Sequence, residues 1–444
     1  EKIMPNGISE EYDYYVNGRM RELIHKDANG YKMIYHYYYD SVGRLTKENV
    51  FDEKEDLTEE KKYIYDLLNR LTEVWKNNKK LLEYQYDIFG NRVKEVREGC
   101  ITNYKYNELN QLIEIQIQKG EATDNIYLKY DKRGNLISEK GKSGKKQYIY
   151  NSADQLVKFI SETGESVFYQ YDALGNRIKE KRKFGFQSDI REYIYDYTRD
   201  YNNILMIRHN GNDTSYLWDD HLLAENTNGK NNYYQCDFLG SVKQIYNDDG
   251  LLFEKRSYDA FGNIEQGKID ENYPFGYTGL FFNSALGAYH TYSREYRTDW
   301  GRFIRRDADQ FMHLGNPESV NLYTYCLNNP IIFTDLNGED CYIFYCPEWE
   351  NEAKNDQKQL AKQYGYSRDQ VHLIPINSNQ DLRNGWNAMG TENGQQVDID
   401  TVVINSHANP RVLGYEGSKD YFTTGDISQL DNKNMDNLVL YGCN

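Results

Sequence analysis

A Tyr-Asp pair recurs along the first 200 residues of this chain at intervals of 20 to 26 positions. It reads Tyr39-Asp40, Tyr65-Asp66, Tyr86-Asp87, Tyr106-Asn107, Tyr130-Asp131, Tyr150-Asn151, Tyr171-Asp172 and Tyr195-Asp196. Alternating aromatics precede each pair, as in Tyr148-Ile149-Tyr150. A Gly- or Asn-containing turn and an apolar residue follow, as in Leu174-Gly175-Asn176-Arg177-Ile178. A fixed period of this length marks a chain of identical supersecondary units, each unable to bury its apolar face without its neighbours. Period-two alternation makes each unit a β-hairpin, with the Gly and Asn positions supplying left-handed turn residues. Hairpins laid edge to edge form one long sheet. Such a sheet must curl or spiral into a shell to hide its edges and its aromatic face.

Composition supports extended structure. Tyrosine accounts for 43 of 444 residues, against 17 Phe and 7 Pro. Tyrosine is a strand former with a wet end, and proline is excluded from central strands. The 53 basic and 69 acidic residues leave a net charge of −16, which argues against a nucleic-acid or anionic-membrane partner. No apolar run is long enough to span a bilayer. The start, Glu1-Lys2-Ile3-Met4-Pro5, lacks a signal-peptide apolar region and runs at once into repeat-like sequence, so the chain reads as a fragment. Its six cysteines, at 100, 236, 326, 341, 346 and 443, form neither a disulfide framework nor a zinc pattern, and no cofactor or metal is expected.

The punctuation fades after residue 200, and a denser motif set follows. It includes Tyr277-Thr278-Gly279, Leu286-Gly287-Ala288-Tyr289, Arg294-Glu295-Tyr296, Gly301-Arg302-Phe303, Asn328-Asn329-Pro330 and Asp335-Leu336-Asn337-Gly338. With the repeats, these residues resemble the YD repeats of the RHS family, shared with toxin-complex C subunits and teneurins. The resemblance covers roughly residues 10–338. It implies a YD-repeat array over 1–270, a core-end cap over 271–338 and a variable toxin domain over 339–444. It also implies self-cleavage at the junction by aspartates near an arginine, and places Arg294, Asp307 and Asp335 in those positions. Arg297 stands where the family commonly has an aspartate.

Beyond residue 339 the pattern changes to alternating strands and helices. Strands are expected at 341–345, 371–375, 400–406 and 437–441, and helices at 350–364 and 379–389, which together imply a parallel α/β sheet. Working residues in such sheets sit past the carboxyl ends of strands, where His407 and Cys443 fall. An imidazole beside a thiol can deliver the thiolate nucleophile. The arrangement resembles the caspase-like (clan CD) cysteine peptidases, including the separase, gingipain and CHAT branches, cut short after the nucleophile. The expected function is a secreted or surface-associated polymorphic toxin whose shell encloses a cysteine peptidase with His407 and Cys443 as catalytic pair. Its partners would be a cognate immunity protein, delivery or secretion machinery and a protein substrate in the target cell, with no nucleic acid and no membrane span. Two alternatives stand beside it: an RHS carrier with a nuclease or other non-peptidase effector, and a non-enzymatic YD-repeat adhesion or scaffold protein.

Overall fold

The computed structural model describes residues 1–307, apart from 17, 42, 198–202 and 292, and residues 321–331. Beyond these it describes Trp386 and the backbone of short strands between Asp340 and Tyr441. The chain divides into two compact units, one of Glu1–Asp307 with Tyr323–Thr334, the other of Ala308–Leu322 with Asp335–Asn444.

The first unit is built on one antiparallel sheet of 24 strands, running from Lys2–Ile3 to Leu252–Lys255. Each strand pairs with the next in sequence, the pure meander that a chain of hairpins dictates. Almost every unit carries a register shift at the residue that begins its turn, between Gln85 and Tyr86, Lys105 and Tyr106, and Gln170 and Tyr171 among others. Bulges recurring at the Tyr-Asp turns of successive hairpins add twist and bend there repeatedly. The sheet therefore winds on itself. The Gln235 amide donates to the carbonyls of Ser9 and Lys26, both at 3.0 Å, and Asn6 donates to the Asn247 carbonyl at 2.9 Å.

The Tyr-Asp pair does two separate jobs. The aspartate holds the turn: Asp87 Oδ1 accepts the backbone N–H groups of Phe89 and Asn91, both at 2.9 Å, and Gly90 between them sits at φ 75°. The second carboxylate oxygen then takes a side-chain donor four residues on. That donor is Arg in Arg44 and Arg70, and Asn in Asn91, Asn135 and Asn176. Where the chain has Asn in place of Asp, polarity reverses. Asn107 and Asn151 donate their amides to Gln111 and Gln155, both at 2.7 Å. The tyrosine hydroxyl donates to the first carbonyl past the preceding turn: Tyr86 to Leu71, Tyr106 to Arg92, and Tyr171 to Leu156, each at 2.7 Å. It thus ties each hairpin to the one before.

The punctuation does not end near residue 200, as the sequence alone implies. Trp218-Asp219 and Cys236-Asp237 continue it, with Trp218 Nε1 donating to the Ile204 carbonyl at 2.8 Å and Cys236 Sγ lying 3.7 Å from that of Leu222. Any side-chain donor of suitable reach fills the slot, so the geometry outlasts the letters. We expect Asp87→Ala to lower stability by about 2 kcal/mol, because it strips two backbone donors and Asn91 of a charged acceptor. Asp87→Asn, the residue this chain itself uses at 107 and 151, should cost much less. Urea unfolding midpoints of the two variants decide the point.

The described residues of 257–307 and 323–331 fill the curl. Their aromatic nucleus is Tyr258, Tyr277, Tyr289, Tyr296, Phe303 and Tyr325, with Tyr296 and Tyr325 stacked at 3.9 Å. The plug also completes three cores of the sheet. It supplies Leu286, Ala288, Trp300 and Ile304 to one arc, Ala260, Phe261 and Ile331 to a second, and Phe275 and Phe281 to a third. The continuous sheet ends at Lys255, short of the expected 270, and the plug begins with the separate strand pair of Ser257–Tyr258 and Ile264–Gln266.

In the second unit, Val371–Pro375, Asp340–Tyr345, Ile399–Asn405 and Met435–Tyr441 lie in that order as a four-stranded parallel sheet. The expected helices fall on residues outside those described, Trp386 excepted. Among the described residues no helix is long and apolar enough to cross a membrane.

Candidate functional site at the plug and the strand ends

The plug carries a small antiparallel sheet of Phe281–Asn283, Ala288–His290, Glu295–Arg297 and Arg302–Phe303. Arg294 leads into the third of these strands. Its guanidinium centres 3.6 Å from the Phe303 ring centroid, and one nitrogen reaches Asp307 Oδ2 at 2.8 Å. The arginine is buried, while the Asp307 carboxylate is about a third exposed. Two of the three self-cleavage candidates are therefore brought together; Asp335 lies outside the described residues.

Around that pair runs a lattice of buried charge that the sequence pattern did not single out. Arg177 on the sheet pairs with Glu295 on the plug, with His290 Nδ1 3.5 Å from the same carboxylate. Burial, reinforced by the Arg177 charge, pushes the His290 imidazole down to about 4, so it is neutral at pH 7. Burial works to raise the Glu295 carboxyl, but the His290 contact and the Arg177 charge hold it at about 2. Arg297 supplies the reverse pairing. It meets sheet residue Glu139 at 3.1 Å and Asp299 at 2.7 Å, and stacks on Trp300 at 3.9 Å. The residue that departs from the family's common aspartate thus has a complete set of partners of its own. Arg182 and Arg191 both grip Glu271, and Arg97 grips Asp259.

For the glutamates on the sheet side of this lattice, the signal lies in the alternation. Inward positions of the strands carry Glu95, Glu139, Glu180 and Glu225, all buried. Each takes a tyrosine hydroxyl from the following strand, as Tyr148 to Glu139 at 2.9 Å and Tyr234 to Glu225 at 2.7 Å. Among the described residues Glu225 has Asn232 and Tyr234 as donors but no arginine in hydrogen-bonding contact, and burial raises its carboxyl above the usual range. Cys100 and Cys236 are free thiols, and no group of three metal-binding side chains occurs among the described residues.

In the second unit, Ile399–Asn405 pairs with Met435–Tyr441 so that Asn405 and Tyr441 are direct partners. His407 and Cys443 each lie two positions past these paired ends. The chain at His407 enters a short antiparallel strand, His407–Asn409, rather than a loop. Cys443 lies outside the described residues.

The Teneurin YD-shell family profile matches residues 6–331, about the whole extent of sheet and plug. The chain belongs to this family. The chain is 28% identical over 285 residues to the tRNA3(Ser)-specific nuclease WapA of Bacillus spizizenii, covering 62% of this chain and 12% of that protein. It is 27% identical over 360 residues to human Teneurin-4, covering 77% of this chain and 12% of the relative. Among solved structures it is similar to the TcdB2-TccC3-Cdc42 crystal structure, with a TM-score of 0.36 and 14% identity over 74% of this chain and 21% of that one. The chain spans 12% of the length of these curated relatives. The RHS/YD-repeat resemblance is borne out for the repeat region; the family match stops short of residues 340–444.

Proposed function

We propose that the YD shell is the carrier of a polymorphic toxin, and that residues 339–444 are its variable effector, a nuclease acting on RNA. The observation that carries this reading is kinship. Two of the relatives, both at 28% identity, are named as tRNA nucleases. A shell whose interior is closed by an ion-paired plug suits a container, and the WapA likeness favours a nuclease effector over the cysteine peptidase expected from the strand-end residues. Toxin delivery would place the protein outside the producing cell, with delivery machinery and an immunity protein as partners.

The peptidase reading remains the second, favoured by one observation. Asn405 and Tyr441 pair at the ends of neighbouring parallel strands, and in the sequence His407 and Cys443 each follow two positions later, a spacing that supports a thiol and an imidazole acting together. The two readings separate in one assay. Total tRNA and a denatured protein substrate are each incubated with the full chain and with Cys443→Ala. RNA breakdown that survives the substitution is the expected result. Proteolysis lost in Cys443→Ala with intact RNA overturns it in favour of the peptidase.

Self-cleavage is a separate proposal: Asp307, oriented by Arg294, acts with Asp335 on the peptide chain near Asp335–Glu339. Denaturing mass analysis of the purified protein should give two pieces that become one in Asp307→Asn. A single intact mass in the unsubstituted chain rules it out.

A further inference from the structure

The sequence between Arg177 and Phe184 reads Arg-Ile-Lys-Glu-Lys-Arg-Lys-Phe, a cationic stretch in a chain of net charge −16. Strand alternation sorts these charges by face. Glu180 is buried on the inner face with Val167 and Tyr169 of the neighbouring strand, so Lys179, Lys181 and Lys183 share the outer face with Phe168 and Gln170. Register places Phe168 directly between Lys158 on one side and Lys181 on the other. The Lys158 and Lys183 ammonium groups lie 5.0 and 5.3 Å from the ring centroid. Phe168, Gln170, Lys179, Lys181 and Lys183 line a surface groove of about 240 Å³. Of the four lysines, only Lys179 has a carboxylate partner among the described residues, Glu192 at 2.8 Å.

We propose that this outer-face groove, with Phe168 at its centre and Lys158, Lys181 and Lys183 around it, binds single-stranded nucleic acid. The three lysines without carboxylate partners supply a track for phosphates. The ring supplies a stacking platform whose sequence tolerance comes from every base having a π-face. A plain polyanion would use the cations alone and gain nothing from an aromatic among them. The acidic net charge is no obstacle, because exposed charges more than about 8 Å away are screened at physiological ionic strength. The local cations then govern what the groove meets. The site is on the shell, so it stands whichever chemistry the effector carries out.

The test is fluorescence anisotropy of labelled 12-residue oligouridylate and oligothymidylate against the full chain, with the probe checked for integrity on a gel afterwards. Saturable binding is expected, weakened about tenfold by Phe168→Ala and by Lys181→Ala/Lys183→Ala. In the double variant the log–log salt slope should fall by about 1.4, the contribution of two phosphate contacts on a single strand. Lys230→Ala, on another hairpin, should change nothing. Phe168→Leu keeps the apolar volume while removing the π-face, and unfolding midpoints show that each variant is folded. Absence of saturable binding, full affinity in folded Phe168→Leu, or inorganic polyphosphate competing as well as unlabelled oligonucleotide would each overturn the proposal.

Discussion

Glu295→Ala is expected to destabilise the plugged shell by about 3–5 kcal/mol, the cost of leaving a buried charge without its partner. Arg177 is 1% exposed at its side chain, and Glu295 is its one carboxylate contact among the described residues. Its Nε and Nη1 are already without hydrogen-bond partners there. The guanidinium lies 4.1 Å from the Tyr169 ring centroid, a contact worth about 2 kcal/mol when desolvated, too little to replace an ion pair. The paired replacement Arg177→Met/Glu295→Leu removes both charges at similar volume and should recover most of the loss. Chemical unfolding of the two variants gives the measurement. If Glu295→Ala lies within 1 kcal/mol of the unsubstituted protein, the pair does not hold the plug.

The hairpin meander was legible because two independent signals agree. Alternation sets the faces, and the Asp-to-turn spacing sets the register. Each is local, so neither depends on knowing where the rest of the chain goes. What the sequence hid was substitution within a slot. Trp218 and Cys236 replace the tyrosine because the slot asks only for a donor that reaches one carbonyl, so the Tyr-Asp lettering fades near residue 200 while the array itself runs on to Lys255.

The plug's charge lattice was hidden for a different reason. Glu295 and Arg177 are 118 residues apart, and Arg97 and Asp259 are 162 apart. No periodicity links them, since they meet only after the sheet has curled. The Arg294–Asp307 pair was reached through family resemblance rather than through spacing. In the second unit the four strands fall within two residues of the positions read from apolar runs, because buried parallel strands are continuous in character. Where His407 leads was not legible: a three-residue strand with one apolar residue has no pattern to distinguish it from a loop.

Acid should release the plug in two stages, the first set by His290. Its folded pKa of about 4 lies below the ordinary value of 6.5, because burial and then the Arg177 charge oppose protonation. Between those values the unfolded chain binds a proton that the folded chain refuses, so stability falls as pH drops from 6.5 to 4, by roughly 3 kcal/mol at most. Glu295 extends the loss. Its carboxyl is held at about 2 against 4.5, so its contribution is complete above 4.5 and disappears toward pH 2. Glu225 acts with the opposite sign: its raised carboxyl binds a proton more readily folded than unfolded, which favours the native state on acidification and costs stability at neutral pH. His290→Gln should therefore flatten the profile between pH 6.5 and 4 and also weaken the lower limb, because the His290 contact helps hold the Glu295 carboxyl low. Glu225→Gln should raise stability at pH 7 and steepen the net loss on acidification. Unfolding midpoints measured from pH 8 to 3 distinguish these effects, and an unchanged upper limb in His290→Gln would show that the first stage belongs to another group.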